Sequence, residues 1–103
     1  MQFGLNDGTV DAVNRVLAEF PEIKEAVLYG SRAKGDYKVG SDIDLTLKGE
    51  KLTMEHLWRL NGKIDDLLLP YLFDISIYTQ INSADLIEHI DRVGKTFYRK
   101  EKK

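Results

Sequence analysis

The sequence contains no cysteine, and that absence excludes two kinds of chemistry. A disulfide framework and a thiolate metal site both require cysteine. Histidine is also scarce, because only His56 and His89 are present. They lie far apart in the chain and lack the spacing of metal ligands, so we interpret both as surface residues of helices.

Long apolar runs are missing as well. No stretch approaches the roughly 20 residues of a membrane-spanning helix, and the N-terminus lacks the basic region and apolar stretch of a signal peptide. We therefore expect a cytoplasmic protein with no membrane association. The formal net charge of −2 argues against a general nucleic-acid binder, which would normally be basic.

The length of 103 residues suits one small domain. No internal repeat or low-complexity linker divides the chain, so we expect residues 1–103 to form a single domain. Residues 1–8 are predicted to be a flexible lead-in, and Thr9 is predicted to cap the first helix.

Hydrophobic periodicity predicts the element order αβαβαβα. The predicted helices begin near residue 10, at Ser31, at Thr53 and at Ser83. The third is long, with an apolar stripe that ends at Leu68, and Pro70 terminates it. The predicted strands lie near residues 26–29, 43–47 and 73–77, with residues 96–99 as a candidate edge strand.

Connection lengths indicate how the strands pair. The long third helix is a suitable crossover for parallel pairing of the second and third strands, whereas the shorter first connection favours antiparallel pairing. The expected fold is α+β, close to α/β, with a small mixed sheet covered by helices on one face. Ile43 and Ile75 would lie on that covered face, and the opposite face would be open.

The second predicted strand carries two carboxylates. Asp42 and Asp44 alternate with Ile43 and Leu45, so the two aspartates share one face of the strand. They lie about 6.5–7 Å apart along it. Aspartate is depleted in strands and like charges repel, so a divalent cation between them is the economical explanation. Oxygen ligands suit Mg²⁺, Mn²⁺ or Ca²⁺ better than zinc.

A phosphate-binding turn precedes this strand. Gly30 lets backbone N–H groups approach a ligand closely, and Ser31 adds a hydroxyl donor. A helix that begins at Ser31 would direct further N–H groups at an anion. Arg32 or Lys34 can add positive charge. Since Mg²⁺ is typically held by one or two carboxylates and substrate phosphates, the stretch predicts a nucleoside triphosphate site.

These residues carry a resemblance to a known family. Gly30-Ser31, ten residues, then Asp42-x-Asp44 resembles the signature of the DNA polymerase β-type nucleotidyltransferase superfamily. The fuller string, Gly-Ser-Arg-Ala-x-Gly followed by Ser-Asp-Ile-Asp-Leu, resembles its minimal nucleotidyltransferase (MNT) branch. The family has a third carboxylate on a later strand, and Asp74 fits that position. MNT proteins have about this length, so the resemblance covers nearly the whole chain.

The resemblance implies a nucleotidyltransferase fold and Mg²⁺-dependent transfer of AMP from ATP. Asp42, Asp44 and Asp74 would be the catalytic and metal-binding residues, with two Mg²⁺ ions expected and Mn²⁺ as the alternative. Asp74 would also accept the proton of the attacking hydroxyl. The phosphate-binding turn would hold the β- and γ-phosphates, and Arg32 would face the leaving pyrophosphate.

The resemblance also implies a partner. The usual partner in the MNT branch is a HEPN-domain toxin, and members resembling this chain act as antitoxins, some by transferring AMP to a partner tyrosine. The chain has no room for a domain that encloses the acceptor, so a partner or a homo- or hetero-oligomer is expected to complete the cleft. Two alternatives stay open: a non-catalytic binding module that neutralises a HEPN partner by contact, and transfer to a small molecule, which normally needs an added domain.

Overall fold

The structure is a computed structural model that describes residues 2–38 and 40–101; Met1, Val39, Lys102 and Lys103, part of the predicted single domain, lie outside the described residues. The helices and strands are α1 (Asp7–Ala18), β1 (Glu25–Tyr29), α2 (Ser31–Lys34), β2 (Ile43–Lys48), α3 (Met54–Asp65), β3 (Phe73–Ile77), α4 (Ala84–Val93) and β4 (Lys95–Arg99). A 3₁₀ turn, Tyr78–Gln80, follows β3. Among the described helices, none combines the length and apolarity needed to cross a bilayer.

The strands form one mixed sheet in the order β3-β2-β1-β4. β2 pairs with β3 in parallel, and β1 runs antiparallel to both β2 and β4. α3 supplies the long crossover that the parallel pair needs. The predicted α+β class, the mixed sheet and the edge strand near residues 96–99 are confirmed.

The main core lies on one face of the sheet. Alternation places Leu28 of β1 and Leu45 of β2 on that face, where the apolar stripes of α1 and α3 pack against them. Leu17 of α1 and Leu60 of α3 are, like these two, fully buried. Thr53 caps α3 as predicted, and Thr53 N–H donates to His56 Nδ1 at 3.0 Å.

α4 differs from the expectation that all helices share one face. Ile90 of α4 packs against Val27 and Tyr29, which point to the carboxylate side of β1. The reason is topological: β3 and β4 occupy opposite edges of the sheet, so α4 must cross a face, and α1 and α3 already fill the other one. The carboxylate face is therefore covered above β1.

The N-terminal segment is not the loose lead-in that the sequence predicts. Leu5 is fully buried in the main core, and the Phe3 ring stacks on Phe97. Asn6, rather than Thr9, caps α1, since the Asn6 side chain accepts a hydrogen bond from Thr9 N–H at 2.7 Å. These two apolar side chains hold the N-terminal segment against the main core.

The end of α3 also differs from the sequence prediction. The helix ends at Asp65 instead of continuing toward Pro70. Leu68, assigned to the buried stripe by its spacing, adopts a φ of +55° and is 88% exposed. The helical spacing fails there because the chain leaves the helix one turn earlier, before it enters β3.

Candidate active site

Three side chains form one row across the strands at one end of the sheet. Tyr29 of β1 pairs with Asp44 of β2, and Asp44 pairs with Asp74 of β3. Neighbouring strands lie about 4.8 Å apart, so the two carboxylates stand side by side on the face opposite the main core. The fold thus brings Asp44 and Asp74 together, although they are thirty positions apart in the sequence.

The carboxylates repel one another in this arrangement. Burial raises the pKa of Asp44, and the charges of Asp74 and Asp42 raise it further, while His89 lowers it only when the imidazole is protonated. Asp44 is half-buried, whereas Asp42, just before β2, and Asp74 are exposed. Negative charge is therefore concentrated at one point that is still accessible from solution.

The donor set fits a hard divalent cation that arrives with its substrate. Asp42, Asp44 and Asp74 offer oxygen ligands only, the type that Mg²⁺ and Mn²⁺ prefer. Across residues 2–38 and 40–101, no three histidine, aspartate or glutamate side chains are already gathered around one point as a metal cage. Mg²⁺ does not require such a cage, because substrate phosphates and water usually complete its coordination.

The Gly30 turn lies directly against this cluster. Gly30 has a φ of +76°, and a Cβ at this position would clash with the Asp44 carboxylate. Position 30 therefore requires glycine for its backbone conformation and for its close approach to Asp44. Ser31 follows at once as the first residue of α2. The predicted phosphate turn and the predicted metal carboxylates are in contact.

α2 is a single turn with a small dipole. At its C-terminal end, the N–H groups of Lys34 and Gly35 donate to Gly30 O at 3.1 Å and to Ser31 O at 2.9 Å. As in any helix, the first N–H groups have no carbonyl partner within the helix. These N–H groups and the Ser31 hydroxyl therefore stay the predicted donors to an anion.

Arg32 does not occupy the place that the sequence predicts for it. Arg32 is 3% exposed, and its hydrogen bonds to the described part of the chain go to backbone carbonyls. Nε and Nη2 donate to Ser41 O at 3.1 and 2.8 Å, and Nη1 donates to Phe3 O at 2.8 Å. The guanidinium also lies over the rings of Tyr37 and Tyr71. We therefore correct Arg32 from a phosphate ligand to a tether for the loop that enters β2.

Lys34 lies at the exposed end of α2. Its ammonium group is 3.6 Å from an Asp36 carboxylate oxygen, and both side chains are at least half exposed. Such a surface pair is weak and leaves the lysine free to move. Nothing in this geometry directs Lys34 toward the carboxylate row, and its phosphate-binding role stays a prediction.

Two residues next to the site, Tyr29 and His89, were not identified from the sequence as functional. Gly30 N–H donates to His89 Nε2 at 3.3 Å, and the Tyr29 ring contacts the His89 ring edge-on. Burial raises the pKa of Tyr29; a hydrogen bond with Ser76 opposes this, and the charges of Asp74 and Asp44 add to the rise. The available signal was His89 itself, a histidine in the apolar stripe of α4.

Solved structures with the same fold include several toxin–antitoxin complexes. A chain in a crystal structure of a toxin–antitoxin with AMP-PNP is 22% identical, with a TM-score of 0.69 over 94% of this chain and 76% of that chain. A chain in the MntA–HepT toxin–antitoxin is 18% identical, with a TM-score of 0.67 over 92% and 74%. A chain in the complex of tri-AMPylated Shewanella oneidensis HEPN toxin with MNT antitoxin is 18% identical, with a TM-score of 0.68 over 93% and 74%. At these identities, the likeness shows the fold.

Sequence comparison identifies the family. No curated protein sequence matches the chain. The family model described as polymerase beta, nucleotidyltransferase matches residues 11–103, which include the Gly30-Ser31 turn and Asp42, Asp44 and Asp74. The chain therefore belongs to the polymerase β family of nucleotidyltransferases.

Proposed function

We propose that this chain transfers AMP from ATP to a protein hydroxyl. The proposed acceptor is a tyrosine of a HEPN-type toxin, so that the chain acts as an antitoxin. The observation that carries the proposal is the contact between the Gly30 turn and the Asp44 carboxylate, with Asp74 beside it on the next strand. A phosphate-binding turn and paired carboxylates are the two parts that nucleotidyl transfer requires. The family match supports the reaction class.

Each part of the site has a defined role in this reaction. The Ser31 hydroxyl and the first N–H groups of α2 would bind the β- and γ-phosphates. Asp42 and Asp44 would hold Mg²⁺, with Asp74 on the acceptor side. Two Mg²⁺ ions, if held by these carboxylates, would supply the charge neutralisation that the transfer needs. The acceptor oxygen forms a bond to the α-phosphorus, the bond from that phosphorus to the β-phosphate bridging oxygen breaks, and pyrophosphate leaves. Asp74 takes the proton of the acceptor hydroxyl.

The open geometry of the site supports a protein acceptor. Asp42 and Asp74 are exposed, and α4 covers the sheet above β1 while the carboxylate row stays accessible. Orientation of two substrates can supply about 7–11 kcal/mol of a barrier. A partner that docks over β2 and β3 would supply that orientation, so the chain alone should be nearly idle.

The structural relatives favour the HEPN partner and the adenylyl group. One is a toxin–antitoxin with AMP-PNP, and another contains a tri-AMPylated HEPN toxin with MNT antitoxin. Together with the MNT-type string around Gly30 and Asp44, they support ATP as the donor and a HEPN protein as the acceptor, and the tyrosine is what the family resemblance implies.

The test is the intact mass of a HEPN-type protein encoded beside this chain, after incubation with the chain and Mg-ATP. The wild type should add one or more adenylyl groups, and Asp74→Asn should add none while still forming the complex. Asp11→Asn is a matched control, because Asp11 is exposed on α1, which packs on the opposite face. If wild type and Asp74→Asn neutralise the partner equally with no mass change, neutralisation is by contact alone.

A further inference from the structure

His89 is placed at the phosphate turn by the phase of α4. The apolar stripe of this helix is Leu86, Ile90 and Val93, and His89 falls within the same stripe at helical spacing. Ile90 is buried against Val27 and Tyr29, which fixes the rotation of the helix over β1. The imidazole of His89 is consequently half-buried at the end of β1, where the Gly30 turn begins.

The hydrogen bond between Gly30 and His89 defines the state of the ring. Gly30 N–H is the donor, so Nε2 must be the unprotonated nitrogen, and a neutral imidazole then carries its proton on Nδ1. The Tyr29 ring meets the imidazole edge-on, with centroids 6.2 Å apart and planes at 82°. This contact restricts the ring orientation, so the acceptor atom stays directed at the turn.

The turn needs such a restraint. Gly30, at a φ of +76°, can approach Asp44 closely because it has no side chain. For the same reason its backbone is more flexible than that of any other residue. The Asp44 carboxylate limits the turn on one side, and His89 Nε2 holds the backbone N–H on the other. With the Gly30 N–H fixed toward α4, the direction in which the chain presents Ser31 is fixed as well.

We propose that His89 is a positioning residue that orders the Gly30-Ser31 turn for the triphosphate of the incoming nucleotide. It acts through the Gly30 backbone and does not touch the reacting atoms. This inference rests on the proposed function of the turn, and it makes α4 part of the nucleotide site in addition to a cover for β1.

The test compares two replacements of His89. His89→Leu keeps most of the volume and removes the acceptor, whereas His89→Gln keeps an acceptor oxygen at a similar reach. His89→Leu should raise the Kd for Mg-AMP-PNP about three- to tenfold, the effect of one lost hydrogen bond, and His89→Gln should restore most of the affinity. A role in packing alone would make the leucine variant at least as good a binder as the glutamine variant.

The other histidine provides a matched control. His56 Nδ1 accepts a hydrogen bond from the N–H of Thr53, the cap of α3, and His56 Nε2 lies 3.6 Å from a Glu22 carboxylate oxygen. His56→Leu should therefore lower the melting temperature without changing the Kd for Mg-AMP-PNP. If His56→Leu weakens binding as much as His89→Leu does, the loss reflects general destabilisation and the positioning role is rejected.

A measurement on the nucleotide-free protein separates this proposal from the function of the site. Histidine ¹⁵N spectra should show His89 as the tautomer protonated at Nδ1, and the Gly30 amide should exchange with solvent faster in His89→Leu than in His89→Gln. If the wild type does not bind Mg-AMP-PNP, the proposed function fails even where these signals are present. If Gly30 exchange is equal in both variants, or the two bind nucleotide equally, the positioning role of His89 is overturned.

Discussion

The two faces of the sheet carry opposite kinds of side chain on the same strands. On the core face, Leu28 and Leu45 are fully buried under α1 and α3. On the other face, at positions next to these in the sequence, Tyr29 and Asp44 form a polar row with Asp74 of β3. The pKa values of Asp44 and Tyr29 are raised. The first face stabilises the fold and the second places mutually repelling groups together. This contrast separates the residues that hold the protein from those that we propose to act on ATP.

The largest effect on stability should come from the core face. Leu45→Ala in the central strand β2 should lower the free energy of unfolding by about 2–5 kcal/mol, because it removes a fully buried side chain and leaves a cavity. Denaturant unfolding measures this loss. A cost below about 1 kcal/mol would mean that the core face is not the main source of stability.

The core face could be predicted from the sequence because its signal is local. Alternation of Ile43, Leu45 and Leu47 gives strand and face together, and the helical spacing of the first and third helices gives the layer that covers it. Asp74 was identified as a site residue through the family resemblance. The parallel pairing that places it beside Asp44 was predicted from the length of the connection between the two strands.

The remaining features depend on which groups meet in three dimensions. α4 crosses the carboxylate face because β4 joins the sheet beside β1, and the sequence pattern does not reveal that choice of edge. Arg32 was assigned to phosphate from its place beside Ser31, but the carbonyls that bind it belong to Phe3 and Ser41. His89 contacts Gly30 from fifty-nine positions away. Local spacing contains no information on such partners.

The second prediction concerns Arg32, a charged side chain that is buried like the core residues. Arg32→Lys should lower the free energy of unfolding by about 1–3 kcal/mol. Lysine cannot reproduce the planar guanidinium that donates to two carbonyls, so the substitution leaves buried acceptors unpaired. Lys34→Gln is the control, and it should change stability by less than about 0.5 kcal/mol. Thermal unfolding measures both. If Arg32→Lys instead leaves stability unchanged and weakens nucleotide binding, Arg32 is a phosphate ligand after all.

The smallest expected change in the free energy of unfolding is an increase, and it comes from a substitution of Asp44 in the polar row. The raised pKa of Asp44 means that its contribution to stability is present below its unfolded pKa and is lost as the pH rises through the folded pKa. Asp44→Asn should therefore stabilise the metal-free protein at pH 7, by less than about 1 kcal/mol because solvent screens a half-buried charge.

This stabilisation should depend on pH. Measured in EDTA, the difference between Asp44→Asn and wild type should shrink as the pH falls below about 3.9, the ordinary pKa of an aspartate, where the carboxyl is protonated in the folded and unfolded states. Asp11→Asn, on the exposed side of α1, should show no such difference. If Asp44→Asn is less stable than wild type at pH 7, the carboxylates do not repel one another in the folded protein.

The most direct test of the central claim is calorimetric titration of AMP-PNP into the protein, with Mg²⁺ and in EDTA. The wild type and Asp11→Asn should bind the nucleotide when Mg²⁺ is present and lose that binding in EDTA. Asp44→Asn should not bind detectably in either condition, because its amide cannot replace the carboxylate that holds the cation at the Gly30 turn. Equal affinity in Asp44→Asn and wild type, or equal affinity of the wild type with and without Mg²⁺, would contradict the account.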